Sequence, residues 1–484
     1  MKVTRMLTAL ALVVVLFAMS VLGVSAQTGT WVSGIMIRNQ SDTQVANVTI
    51  TFYWAEGIAD HTGGTVAFTL QTTLQGKESK NFYVPDIAGF PDGFQGSAVV
   101  SSDQPVVANI NTQIPTSGAG STTSNPNRVG TSSGVLTPYT TLYFTQVMKE
   151  YYGWNSYAAV QNTTADTAQV TIRYYNASDG AEQAAAAQTV TIHGYSTYIF
   201  RQSENASLPS SWTGSVVVSG TQALAGIVNF FNAGGTPELA AFCSYNAFGG
   251  SGATKLYVPR LVRNYYGYQG GLTIQNVGTA DATVTITYKF GANSYTQTVT
   301  GLKKYASKVL YMPNVTELGT AFGTGSAVLT SNQPIVATAN EDNRSGDPAL
   351  PNHQGRGITY NAIPDGQQTT TILFPQVTSK FYGYCGGVQI QNVGTADAHV
   401  TATFSKPGTT DVVVGPVTVP QNSPKDWFAP TVLGDAGLNW NGSVVVTSDQ
   451  PIVGIANNSV RWDVDTRYPV NYGDSYVTYN GVNK

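Results

Sequence analysis

The chain has 484 residues, too many for one ordinary domain, and a formal charge of -3, which leaves no basic footprint for nucleic acid and no strong acidic field. Only 11% of residues are charged whereas 42% are hydrophobic, with 50 glycines and 27 tyrosines. Charge-driven disorder is excluded, and the Thr, Ser, Asn, Gln and Gly that replace charge belong to exposed β-strands and turns.

Residues 1–26 read as a secretory signal peptide: Lys2 and Arg5 come first, an apolar core spans 7–22, and Val24, Ser25 and Ala26 precede a cleavage point at Gln27. The apolar run is short for a membrane span, which needs about 20 residues. No second run of that length occurs, so no membrane span is expected after signal cleavage; an uncleaved anchor is the alternative.

Two strings then recur in step. GLTIQNVGTADATVTITYKF at 271–290 returns as GVQIQNVGTADAHVTATFSK at 387–406, with diverged copies at 33–53 and 156–175. The markers Asn39, Asn162, Asn276 and Asn392 are spaced by 123, 114 and 116 residues. A second string, GSAVVSSDQPVVA from Gly96, returns from Gly214, Gly325 and Gly442 at spacings of 118, 111 and 117. Two independent markers give one period of about 115 residues. The expected repeats are 27–138, 139–252, 253–368 and 369–484, with Gly/Ser/Thr-rich joints such as 247–254 and 365–371.

Each repeat reads as antiparallel β. Val284, Ile286 and Tyr288 alternate with threonines, and turn residues punctuate the chain about every ten residues, as in a sandwich of seven or eight strands. The recurrent Ser/Thr-x-Asp/Asn-Gln-Pro string is expected to be a turn between two strands. Repeats two to four open with an extra strand at LYFTQV, LYVPRL and LFPQV. The matching offset in repeat one falls at Leu22, inside the signal peptide. Repeat one is therefore expected to lose its first strand on cleavage and to expose a sheet edge, unless 27–31 forms a shorter strand that covers it.

The I-x-N-x-G strings followed by V-T-I-T-Y, at 274–288 and 390–404, resemble bacterial exported tandem Ig-like repeat proteins related to cell adhesion (CARDB-like). The YGW and YGY openings are similar to repeat-built exported proteins of filamentous environmental bacteria. The resemblance implies four tandem Ig-like antiparallel β-sandwich domains in a surface or matrix setting, and carries over no catalytic residue.

The aromatic openings supply the candidate binding residues: Tyr152 and Trp154, Tyr266 and Tyr268, Tyr382 and Tyr384, with Lys149, Arg263 and Lys380 upstream. Such rings stack on sugars, bury at a protein contact, or pack between repeats. Repeat one has only Trp31 nearby. Trp462 belongs to a loop rich in charge, 457–469. Calcium is conceivable from Glu341, Asp342 and Asp347 or from Asp463 and Asp465, but no Asp-x-Asp-x-Asp-Gly loop occurs, and neither metal nor cofactor is expected. GTSSG at 130–134 matches a nucleophile-elbow string inside apparent low-complexity loop. The four histidines occupy non-equivalent places. Cys243 and Cys385 flank repeat three and could pair only if the chain folds back; free buried thiols are the default.

The sequence thus points to a secreted, non-catalytic structural or adhesive protein of the cell surface, forming a filament, sheath or matrix by self-association or through other surface proteins and glycans. A carbohydrate-binding array using the aromatic openings is the alternative, and an exported hydrolase with a hidden carboxylate pair the third reading.

Overall fold

The computed structural model describes residues 11–14, 31–114, 128–232, 241–343, 356–461, 463–467 and 474–483. Every strand pairing in it is antiparallel, and the strands form three eight-stranded sheet systems and two four-stranded sheets. Among the described residues the one α-helix is Ala429–Leu433, and no helix is long and apolar enough to cross a membrane.

The third repeat shows how the pattern folds. One layer holds the opening strand Ala253–Arg263, the first half of the long strand Gly323–Asp342, then Ala282–Phe290 and Asn293–Leu302. The other holds Ser307–Tyr311, Gln269–Asn276, the second half of the long strand and the closing strand Gly357–Asn361. Val284, Ile286 and Tyr288 point between the layers and are fully buried, as their alternation with threonine requires. The other repeats each have their own core with equivalent strands. These cores are joined: Val277 and Val336 pack into that of repeat two, and Ile455 into that of repeat three.

The Ser/Thr-x-Asp/Asn-Gln-Pro string breaks the strand only in repeat one, between Gly96–Ser102 and Val106–Ile114. In the others the long strands Trp212–Asn232, Gly323–Asp342 and Trp440–Val460 run straight through, against expectation. The string is the point where one strand passes from layer to layer. Its polar side chain receives the N–H of the second residue of the neighbouring strand: Asp103 Oδ1 from Asn47 (2.8 Å), Thr221 Oγ1 from Gln169 (3.0 Å), Asn332 Oδ1 from Thr283 (2.7 Å) and Asp449 Oδ1 from His399 (2.7 Å).

The marker asparagines explain themselves in the same way. Asn276, fully buried, donates through Nδ2 to Ala280 O and Leu302 O (both 2.8 Å) and accepts from Gly278 N (2.9 Å). Asn39, Asn162 and Asn392 make the equivalent bonds. Each amide therefore fastens the turn after its strand to the end of a strand in the other layer.

The repeats close into a ring. Ser97 Oγ donates to Tyr195 O (2.9 Å), Ser215 Oγ to Tyr305 O (2.6 Å) and Ser326 Oγ to Asn422 O (2.8 Å), linking repeat one to two, two to three and three to four. The fourth member of the series, Ser443, meets Arg38 of repeat one, whose guanidinium also donates to Lys77 O (2.8 Å). Lys77, Tyr195, Tyr305 and Asn422 are equivalent, all with φ between 60° and 64°. A second contact repeats too: Ser307 Oγ donates to Thr145 O (2.7 Å) and Ser79 Oγ to Pro375 O (3.2 Å). Repeat four therefore meets repeat one as the earlier repeats meet their successors.

Around the axis, each of the closing strands Arg128–Ser133, Ala241–Asn246, Gly357–Asn361 and Val477–Asn480 touches those of two neighbouring repeats. The Nδ2 groups of Asn246, Asn361 and Asn480 donate to the carbonyls of Ser133, Asn246 and Asn361, each at 2.7 Å. The joints are also structured, since Phe248–Gly249 pairs with Tyr143 and Leu142 of the preceding opening strand. The chain is thus a compact ring and not an extended array with loose joints.

Two outcomes follow for stability. Replacing Asn276 with Ala strands two carbonyls and an N–H, and should cost about 3 kcal/mol, read from the urea midpoint. Asp474, fully buried at the axis, accepts from Phe242 N (3.1 Å), Gly357 N (2.9 Å) and Tyr476 N (2.9 Å). Burial outweighs these bonds and Arg356, and raises its pKa well above the ordinary 3.8. The native state then keeps a proton that the unfolded chain releases, so this group's contribution to stability falls as pH rises above 3.8. In Asp474→Asn, the decline in melting temperature from pH 4 towards neutrality should flatten.

Candidate functional site

The aromatic openings are the tips of tight hairpins between the opening strand and the next. Tyr151 and Trp154 exchange two backbone hydrogen bonds of 2.9 Å, and Tyr265 with Tyr268 and Phe381 with Tyr384 do the same at 2.9 and 3.1 Å. Between them Tyr152, Tyr266 and Tyr382 have φ of 49–50° and Gly153, Gly267 and Gly383 of 78–80°, the type I′ geometry that suits the twist of a hairpin. Glycine or asparagine would meet the first position without strain; a tyrosine there costs about 1 kcal/mol.

This turn divides the predicted cluster. Tyr152, Tyr266 and Tyr382 project outward with 84, 58 and 68% of their surface exposed. The aromatic two positions later turns inward: Tyr268 is buried 5.5 Å from the Tyr476 ring, Trp154 is half-buried edge-on to Phe230, and Tyr384 is half-buried. Trp462 lies outside the described residues. The upstream cations hold carbonyls of the segment beneath the tip, Lys149 those of Asn205 and Leu208, and Arg263 those of Met312, Gly319 and Ala321. The Lys380 carbonyl accepts from Arg467.

Beside the tip of repeat three a cleft of about 490 Å³ opens against repeat four. In its wall Arg260 forms a two-pronged pair with Glu341 (Nε–Oε2 2.8 Å, Nη2–Oε1 2.9 Å) and donates through Nη1 to Gln389 Oε1 of repeat four (2.9 Å). Burial opposes the Arg260 charge, but Glu341 and Tyr476 outweigh it and hold its pKa well above the ordinary value. Burial pushes the Tyr268 hydroxyl up to about 12. Trp427 is buried in the wall, whereas Tyr265, Tyr266 and Asp426 are exposed. Arg461 lies 5.4 Å over the Phe428 ring and pairs with Asp463 (2.6 Å). Aromatic faces beside fixed hydrogen-bonding groups can hold a ligand with alternating apolar and hydroxylated surfaces.

The equivalent cleft between repeats two and three is about 100 Å³, with Gln146 in place of Arg260, Phe230 of Glu341 and Val309 of Asp426. A third cavity, of about 470 Å³, lies at the axis and is lined by Asn246, Asn361, Asn480 and their flanks. Arg260 and Gln389 were not singled out from sequence. Their signal is departure from the repeat: Arg260 replaces Gln146 and Gln376, and Gln389 replaces Met36, Ala159 and Thr273.

The remaining candidates fall elsewhere. Cys243 and Cys385 are free and buried, without the conceivable disulfide, in the narrow and the wide cleft respectively. Burial raises both thiols, Cys243 to about 12, so neither carries a reactive thiolate at neutral pH. No group of three or more His, Cys, Asp or Glu able to hold a metal occurs among the described residues. Glu341, Asp463 and Asp465 are instead held by Arg260, Arg461 and Arg467; Asp347 lies outside the described residues. Most of the 130–134 string, expected in a loop, lies in the closing strand Arg128–Ser133 beside the axis and forms no strand-to-helix elbow. His193 and His399 bond the carboxylates of Glu56 and Asp449.

No protein-family profile matches the chain, and no curated protein sequence does. Among solved structures, that of Thermotoga maritima 1070 aligns at 20% identity and a TM-score of 0.20 over 24% of this chain and 97% of its own. The Anabaena sensory rhodopsin transducer aligns at 24% identity and a TM-score of 0.15 over 18% of this chain and 93% of its own.

The cleft's ion pair is open to a direct test. Arg260→Ala leaves the Glu341 carboxylate buried and uncompensated and should destabilise the protein by about 3–5 kcal/mol. The combined Arg260→Gln and Glu341→Phe change installs the residues of repeat two and should recover most of that loss in the same denaturation assay.

Proposed function

We propose that this protein is an exported, non-catalytic adhesive or structural component of the cell surface, a ring of four Ig-like sandwiches in which the hairpin tips of three present the contact surface. The observation that carries the reading is the placement of Tyr152, Tyr266 and Tyr382: large, exposed rings held at equivalent hairpin tips in a backbone conformation that disfavours them. Strained positions that asparagine would fill more comfortably are kept for what the side chain contacts. The 1–26 leader supports export. Similar contacts on one rigid body multiply weak affinities for a repetitive partner, whether a surface glycan, another surface protein or further copies of the chain.

A second reading, binding of carbohydrate in the cleft between repeats three and four, is favoured by its aromatic walls and by the fixed polar groups of Arg260, Glu341 and Gln389. Binding of the secreted protein to cell-surface preparations and glycan arrays separates the two. The triple change of Tyr152, Tyr266 and Tyr382 to Asn should weaken surface binding at least about tenfold while raising the melting temperature, because it relieves the backbone and removes the contacts. Undiminished binding overturns the tip reading. Glycan binding lost only on changing Arg260 and Glu341 to Gln and Phe supports the cleft.

A further inference from the structure

We propose that the exported protein accepts a β-strand from another polypeptide along Gly96–Ser102, at the edge left when the leader is removed; the proposal rests on the export reading above. In repeats two to four the opening strand pairs with the first half of the long strand in one register: Tyr143 opposite Val217, Tyr257 opposite Val328, Leu373 opposite Val445. In the full-length chain repeat one fills that place with Ala11–Val14, from the core of the predicted leader, and sets Val13 opposite Val99. The equivalence of Val99, Val217, Val328 and Val445 within the recurring GSxV strings makes this the same slot.

The slot has a defined chemistry. The residues on either side of the register position, Leu142 and Phe144, Leu256 and Val258, Ile372 and Phe374, are all at most 2% exposed and belong to the cores of their repeats. An occupant must therefore be extended, carry large apolar side chains at two alternate positions and keep charge out of the paired stretch.

After cleavage at Gln27 repeat one has no segment of that kind to put back. Trp31 packs 4.8 Å from Phe242 at the junction with repeat two, and Val32–Asn39 is already paired with Val106–Ile114. That leaves Gln27, Thr28, Gly29 and Thr30, with no apolar pair. The sequence of 115–127 has none either. Arg128–Ser133 is taken up in the other layer, and the chain then runs directly into the opening strand of repeat two. The strand must come from outside repeat one, and the proposed occupant is a segment of another protein with a pattern such as Leu-x-Phe.

The test uses the exported protein, its N-terminus fixed by mass spectrometry, and a synthetic peptide copying residues 140–148. Hydrogen exchange of Gly96–Ser102 in dilute monomer should be at least about 100-fold faster than in the equivalent first half of Trp212–Asn232. The peptide should bind with one-to-one stoichiometry and slow that exchange, whereas a peptide with Asp at the positions of Leu142 and Phe144 should do neither. Slow exchange in the monomer without peptide overturns the proposal and leaves export intact. A dimer protected at Gly96–Ser102 that excludes the peptide also overturns it, because the edge is then filled by a second copy. An N-terminus that retains residues 1–26 overturns the cleavage on which the vacancy depends, and the proposal with it.

Discussion

The architecture depends on a backbone constraint two residues before the fifth strand of each repeat. There Lys77, Tyr195, Tyr305 and Asn422 take left-handed φ angles; the carbonyls of the last three receive a donor from the preceding repeat, and that of Lys77 receives the Arg38 guanidinium that meets Ser443 of repeat four. In three junctions the donor is the serine after the recurrent glycine. Tyr195 and Tyr305 add ring contacts with Tyr53 and Tyr175 of the preceding repeat, at 4.9 and 4.5 Å. Because the same contact recurs at a fixed place in each unit, the angle between successive units also recurs. Four such steps bring the last unit back to the first, and both the clefts and the axial layer follow from this closure.

Charge is scarce in this chain, and part of it is spent inside. Arg38, Arg260, Glu341, Arg356 and Asp474 are buried, and each lies at a junction between repeats or near the axis. None recurs at all four equivalent positions. A buried ion is costly unless its own partners are present, so the Arg260–Glu341 pair with Gln389 penalises any docking of repeat three other than against repeat four, and Arg38 does the same for the closing junction. The repeated polar contacts set a common geometry, and the unrepeated charges set the order in which the repeats meet.

Much of the strand layout was legible because it is written in short-range alternation. Val284, Ile286 and Tyr288 declare a half-buried strand without reference to anything distant, and a recurring glycine string is visible by inspection. Closure was not legible, since Arg38 and Ser443 lie 405 residues apart and nothing local to either foretells the other. The Gln-Pro string reads as a turn because proline and asparagine are turn residues, yet the strand carries its proline at a crossing between layers where no ladder N–H is required. The aromatic tips look like one cluster in the sequence. A glycine following a single residue at a two-residue hairpin is the signal that separates the outward tyrosine from the inward ring.

The covalent linkage of the four units has a further consequence. A ring assembled from four separate identical subunits must carry four identical junctions, and a change that improves one is imposed on all. In a single chain each junction has its own codons. The space between repeats three and four can therefore widen around Arg260, Glu341 and Asp426 while its counterpart between repeats two and three stays narrow behind Gln146, Phe230 and Val309. Fourfold repetition supplies the scaffold, and the freedom of each copy to diverge supplies the individuality.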